Sequence, residues 1–168
     1  MNKTKNIVLS SLFLALAMIL PFLTGQIPEI GSMLCPLHIP ALLAGYFCGW
    51  QYGLIVGAMS PLLRSILFSM PPMMAAIPMA FEIATYGAIS GLLYNILPKK
   101  KINIYVSLII AMIIGRGVWG IVKLAMVGFN ISQFGWPMFI SGAFISAIPG
   151  IILQLVLIPV LVLTIKKN

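Results

Sequence analysis

Long apolar runs alternate along the chain with short breaks of polar residues, proline and glycine. Six runs stand out, approximately Ile7–Leu23, Met33–Gly49, Tyr52–Ser69, Ala76–Leu97, Ile102–Val127 and Met138–Ile165. Each reaches the roughly 17–25 residues that carry an α-helix across the hydrocarbon of a bilayer. The runs are uniformly apolar rather than alternating with period two, which excludes a transmembrane β-barrel. The pattern therefore predicts an all-α integral membrane protein, a compact bundle of six transmembrane helices forming a single domain over residues 1–168. Connections fall at Thr24–Ser32, Trp50–Gln51, Pro71–Pro72, Pro98–Lys101 and Gly128–Pro137, and no repeat of 20–50 residues is visible.

Composition agrees with that reading. A soluble domain carries roughly a quarter charged residues, whereas this chain has 7%, with 61% hydrophobic residues and a mean hydropathy of +1.14. The net charge of +8 is spread among apolar spans and forms no basic face, so it predicts topology and attraction to lipid headgroups, not nucleic-acid binding. Cys35 and Cys48 lie about 20 Å apart on one predicted helix and cannot bridge. Lys3 and Lys5 before an apolar run resemble a signal peptide, but no small-x-small cleavage site follows, and a retained first span is expected.

The position of each cation sets the orientation. Lys3, Lys5, Lys99, Lys100, Lys101, Lys166 and Lys167 lie at the termini or in the loop after span four. With both termini cytoplasmic, all of them fall inside, and the three external loops carry no Lys or Arg. Arg64, Arg116 and Lys123 are different, because they lie within or at the edge of spans, where a charge costs at least ~2.5 kcal/mol and marks a polar cavity or a pair. The acids are Glu29, in the first external loop, and Glu82, about one turn inside the outer end of span four. His38 opens span two and Arg64 lies near the outer end of span three. Lys123 lies near the outer end of span five, with Arg116 two turns deeper. These residues converge on the outer half of the bundle and leave the inner half nearly all apolar, Arg116 and Gln154 excepted. A pocket open to the outside is expected, not a channel.

Local spacing adds detail. Arg116, Trp119 and Lys123 share one helical face, a stripe able to hold an anionic or aromatic ligand by charge and stacking. The plain alternative is that Lys123 snorkels and Trp119 packs. Glu82 and Tyr86 are one turn apart, and a structural Glu82–Arg64 pair is the alternative to ligand contact there. Small residues recur at four-residue spacing at Ser11/Ala15, Gly45/Gly49, Gly53/Gly57, Gly87/Gly91 and Ala143/Ala147, mostly for close helix packing. Ser11/Ala15 lies on a helix with no ionisable residue in its apolar run and is available to another membrane protein. Met70, Met73, Met74 and Met79 surround the third external turn and suit either a mobile lid or core filling.

Absent motifs narrow the function. There is no Asp, one His and no GxxxxGK[ST] loop, which disfavours metal sites, ATP hydrolysis by this chain and enzymatic chemistry generally.

The series Pro36-Leu-His38-Ile-Pro40, Gly45, Gly49, Gly53, Gly57, Pro61-Leu-Leu-Arg64-Ser65, Pro71-Pro72, Phe81-Glu82 and Tyr86-Gly87 resembles the substrate-binding S components of energy-coupling factor (ECF) vitamin transporters. The resemblance covers roughly the first hundred residues by motif and the whole chain by size and span count. It implies a six-helix bundle in the bacterial plasma membrane that captures a water-soluble vitamin or related micronutrient in an extracellular-side pocket. An ECF transmembrane coupling protein and two cytoplasmic ATPase subunits would drive uptake. It also implies a small-xxx-small docking face on helix one, for which Ser11/Ala15 is the best match, with Ser in place of one Ala. No cofactor is expected. The candidate substrate-binding residues are Glu29, His38, Arg64, Glu82, Tyr86, Arg116, Trp119, Lys123, Asn130 and Gln133. Their mixed but cationic balance suits a carboxylate, a phosphate or a zwitterion, with pantothenate, a flavin and a pyridoxine-like molecule all open. The alternative from another class is a membrane assembly or scaffold protein whose buried charges form interhelical pairs.

Overall fold

A computed structural model describes residues 3–24, 33–98, 100–128, 136–142 and 147–166. The described residues are helical, with no strand among them. The helices are α1 (Lys3–Ile19), which tightens into a 3-10 turn at Leu20–Thr24, α2 (His38–Cys48), α3 (Trp50–Phe68), α4 (Met73–Ile96), α5 (Lys101–Met126), the short α6 (Trp136–Ile140) and α7 (Ile148–Lys166). Five of them, α1, α3, α4, α5 and α7, are long and apolar enough to cross a membrane.

Two expected spans come out differently. Span two was expected from Met33, but α2 begins at His38 and its 11 residues extend only about 16 Å. Cys35 takes a left-handed φ of 49°, which breaks the helical path before His38 and leaves α2 as a half-length element. The expected single span from Met138 is divided between α6 and α7. The other boundaries agree to within a few residues.

Glycines set how the central helices meet. A Cβ on Gly53 would lie 2.5 Å from the Gly87 carbonyl oxygen, and one on Gly57 would lie 2.5 Å from that of Ile83. The two antiparallel helices α3 and α4 therefore touch backbone to backbone, in a register fixed by residues that have no side chain to move aside. Gly45 and Gly91 bring α2 against α4 in the same way, and Gly115 lets the Tyr86 ring lie on the backbone of α5. The small-residue spacings at Gly45, Gly53, Gly57, Gly87 and Gly91 are thus used inside the bundle, whereas Ala143 lies outside the described residues. The apolar core runs through Leu42, Ile83, Leu108, Ile158 and Val162.

The end of the bundle near Lys100 and Lys101 is less apolar than expected. Asn6, Ser90 and Ser107 are buried. The Tyr46 hydroxyl lies 2.8 Å from the Ser107 hydroxyl and 3.2 Å from the Ile104 carbonyl oxygen, with the Tyr94 ring edge-on to that of Tyr46 at 5.2 Å. Asn6 donates its side-chain amide to the Cys48 carbonyl at 3.2 Å, satisfying an orphan acceptor at the C-terminus of α2. Neutral groups that find partners inside the protein are tolerated at this depth.

Candidate functional site

Three helix registers converge on Glu82. Gly45 of α2 lies against Gly87 and Ser90 of the parallel α4, and the same offset carried seven residues back sets His38 beside Glu82. Gly115 of α5 lies against Tyr86 and the Glu82 carbonyl, so the next residue, Arg116, reaches the Glu82 carboxylate. The Arg116 Nη1 to Glu82 Oε1 distance is 3.0 Å, and His38 Nε2 is 3.4 Å from the same oxygen. The His38 and Tyr86 rings meet edge to face at 5.0 Å. Arg116 Nη2 makes a weak contact with Cys35 Sγ at 3.9 Å. His38 and Glu82 are each only 2% exposed and Arg116 only 6%.

This cluster is polar but poorly satisfied. Arg116 and Glu82 are close in charge terms, yet Oε1 lacks an aligned hydrogen bond. Among the described residues, the buried side-chain nitrogens and oxygens with no hydrogen-bond partner belong to His38, Glu82, Tyr86, Arg116 and Gln154. Native proteins seldom leave such groups unpaired, because each costs about 1–3 kcal/mol. Gln154 lies on the inward face of α7 with Ile158 and Val162, all 1% exposed or less, and α7 packs against α2 and α5.

Arg64 is engaged elsewhere, and the Arg64–Glu82 pair, the alternative to ligand contact, is not formed. The α3–α4 register sets Gly57 against Ile83, so Arg64 aligns with about residue 76, roughly 9 Å along the helix from Glu82. Its Nη1 donates to the Met18 carbonyl at 2.6 Å, while the guanidinium lies 4.9 Å from the Phe22 ring centroid and 5.2 Å from that of Phe68. It therefore closes the carbonyl end of α1, where a cation is favoured.

Other candidate residues separate by position. Trp119 is half-buried and stacks at a tilt on Phe139, with 6.3 Å between centroids. Lys123 is half-buried in the last turn of α5, about 10 Å along the axis from Arg116. Of the Arg116–Trp119–Lys123 stripe, Arg116 is the member that reaches Glu82. Glu29, Asn130 and Gln133 lie outside the described residues. Ser11 and Ala15 are exposed on α1, in a stripe with Ile7, Val8, Leu12 and Ile19.

The model of the ECF transporter substrate-specific component matches residues 5–162. The chain belongs to that family. Comparison with curated proteins and with solved structures returns no match. As an ECF substrate-specific component, the protein is a multi-pass membrane subunit of a transporter, and its buried unpaired groups are candidates for substrate contact. Two further buried residues, Cys35 beside Arg116 and Gln154 on the inward face of α7, are not among the candidates the sequence offers. Gln154 was noted only for its depth, although an amide within an otherwise apolar run was a usable signal. Cys35 carried no such signal, because its role follows from the backbone break before α2.

Proposed function

We propose that this ECF component captures a water-soluble vitamin or related micronutrient at the His38–Glu82–Tyr86–Arg116–Gln154 cluster, from the extracellular side, for ATP-driven uptake by partner subunits. The observation that carries the reading is that, among the described residues, the buried side-chain atoms without a hydrogen-bond partner belong to the converging His38, Glu82, Tyr86 and Arg116 and to Gln154 on the inward face of α7. A ligand supplying donors and acceptors there would remove a standing cost, which is how buried polar groups give specificity. Arg64 acts in this reading on the outer end of α1, and Trp119 and Lys123 line the approach. Glu29, Asn130 and Gln133 remain candidates as loop contributors.

The orientation proposed is six passes with both termini cytoplasmic, α2 completing the second pass together with the segment before it. Lys3, Lys5, Lys100, Lys101 and Lys166 then all lie on the inner side. The membrane is the bacterial plasma membrane, and the partners are a transmembrane coupling protein and two ATPase subunits. The exposed Ser11/Ala15 stripe is the proposed docking face, since small side chains permit close helix approach. A scaffold role is less well supported, because pairs serving structure alone would be expected to satisfy their own hydrogen bonds.

The test is mass spectrometry of small molecules released when the purified chain is denatured. A stoichiometric micronutrient is expected, and its retention should fall at least tenfold in Glu82→Gln. A separate arm replaces Ser11 and Ala15 by Trp, which should abolish assembly with the coupling protein while retention is unchanged. A folded chain that neither retains nor binds any small molecule would sink the proposal.

A further inference from the structure

The Arg116 guanidinium is only half used. Nη1 faces Glu82 at 3.0 Å, Nε has no hydrogen-bond partner among the described residues, and Nη2 has the weak 3.9 Å contact with the Cys35 sulfur. Nε–H and the adjacent Nη2–H point in the same direction and form the side edge of the guanidinium. That edge matches the two oxygens of a carboxylate in a paired, parallel arrangement. Glu82 approaches from the other edge and does not depend on Arg116 alone, since His38 lies 3.4 Å away on its other flank.

We infer that the ligand carries a carboxylate, held two-pronged by Nε and Nη2 of Arg116, and at least one hydroxyl or amide donor for Gln154 Oε1. This inference rests on the substrate-binding reading and narrows it to one chemical class. Three observations carry it. The edge belongs to a side chain more than nine-tenths buried, so water does not screen the interaction. Its Nε–H is left unpaired, and the two oxygens of a carboxylate accept from Nε–H and Nη2–H together, which a single hydroxyl oxygen does not. Gln154, 1% exposed, presents an unpaired acceptor from α7, which an acid alone would not satisfy. A phosphate fits less well, because its further oxygens would need donors beyond that edge.

The experiment uses the full chain in detergent micelles and three matched pairs of probes: pantothenate and panthenol, nicotinate and nicotinamide, biotin and biotinamide. Calorimetric titration should show at least one acid binding tenfold or more tightly than its uncharged counterpart. Arg116→Lys keeps the charge but not the two-pronged edge, and should reduce that preference below threefold. If Arg116→Lys gives no cooperative unfolding transition, Cys35→Asp serves instead. Its own carboxylate would occupy the edge, so the preferred acid should bind at least tenfold more weakly.

Equal or tighter binding of the uncharged members overturns the carboxylate inference and leaves the substrate-binding reading intact. So does an acid preference that survives the substitution. If none of the six binds but a molecule is released on denaturation, its fragmentation spectrum and its reaction with a carboxyl-specific amidation reagent decide: a carboxylate supports the inference and its absence overturns it. No binding and no released molecule removes both readings together.

Discussion

Two buried polar groupings draw on the same three helices and reach opposite states. Near Lys100 and Lys101, Tyr46 of α2, Tyr94 of α4 and Ser107 of α5 meet. Ser107 donates to the Ile104 carbonyl at 2.9 Å, and the Tyr46 hydroxyl has both Ser107 Oγ and that carbonyl within reach as acceptors. Farther along, His38 of α2, Glu82 and Tyr86 of α4 and Arg116 of α5 meet, and each has at least one buried atom without a hydrogen bond. The two tyrosines make the contrast plain. Tyr46 and Tyr86 are both almost fully buried, but the first has its hydroxyl partners and the second lies near Arg116 without an aligned hydrogen bond. A satisfied polar cluster holds helices in register, whereas an unsatisfied one keeps donors and acceptors free for a water, an ion or the proposed ligand.

Substitutions can break that contrast, beginning with the largest effect. Glu82→Ala leaves Arg116 buried beside no anion and should destabilise the fold by about 3–5 kcal/mol. The measurement is unfolding in mixed micelles, and a loss below about 1 kcal/mol would mean the pair is not buried as described. Next, Arg64→Ala removes the Met18 cap and the contacts with Phe22 and Phe68, at an expected cost of about 2 kcal/mol. Ligand affinity should change far less than in Arg116→Ala, and an equal loss in both would return Arg64 to the binding site.

The tyrosine pair gives the sharper comparison at smaller energies. Tyr46→Phe should cost about 1 kcal/mol of stability and leave ligand binding unchanged. Tyr86→Phe should alter stability by less than about 0.5 kcal/mol, yet weaken binding if its hydroxyl contacts the ligand. Should the two variants lose equal stability, the distinction between satisfied and unsatisfied clusters fails. The smallest expected effect is Gln154→Leu, neutral or slightly stabilising in the empty protein because it removes a buried unpaired amide oxygen. Weaker binding in that same variant would separate a ligand contact from a packing residue, and unchanged binding would remove Gln154 from the site.

Some of this was legible in the chain before any folding was considered. Hydrophobic run length is a local property, and it gave four of the spanning helices, α1, α3, α4 and α5, to within a few residues. The expense of charge in hydrocarbon singled out Glu82, Arg64 and Arg116 one residue at a time. The family resemblance, carried by residues close together in the chain, agrees with the match over residues 5–162. What the sequence could not decide was pairing. Glu82 had two arginines at plausible depth, and a shift of one or two helical turns exchanges them. That register follows from close backbone contact at Gly53, Gly57, Gly87 and Gly115, a property of facing surfaces that exists only after the helices have met. The same holds for the early break at Cys35, which shortens α2, and for the separate fates of Tyr46 and Tyr86. Composition sets which groups are costly to bury, but only the packed helices decide which of them find a partner inside the chain.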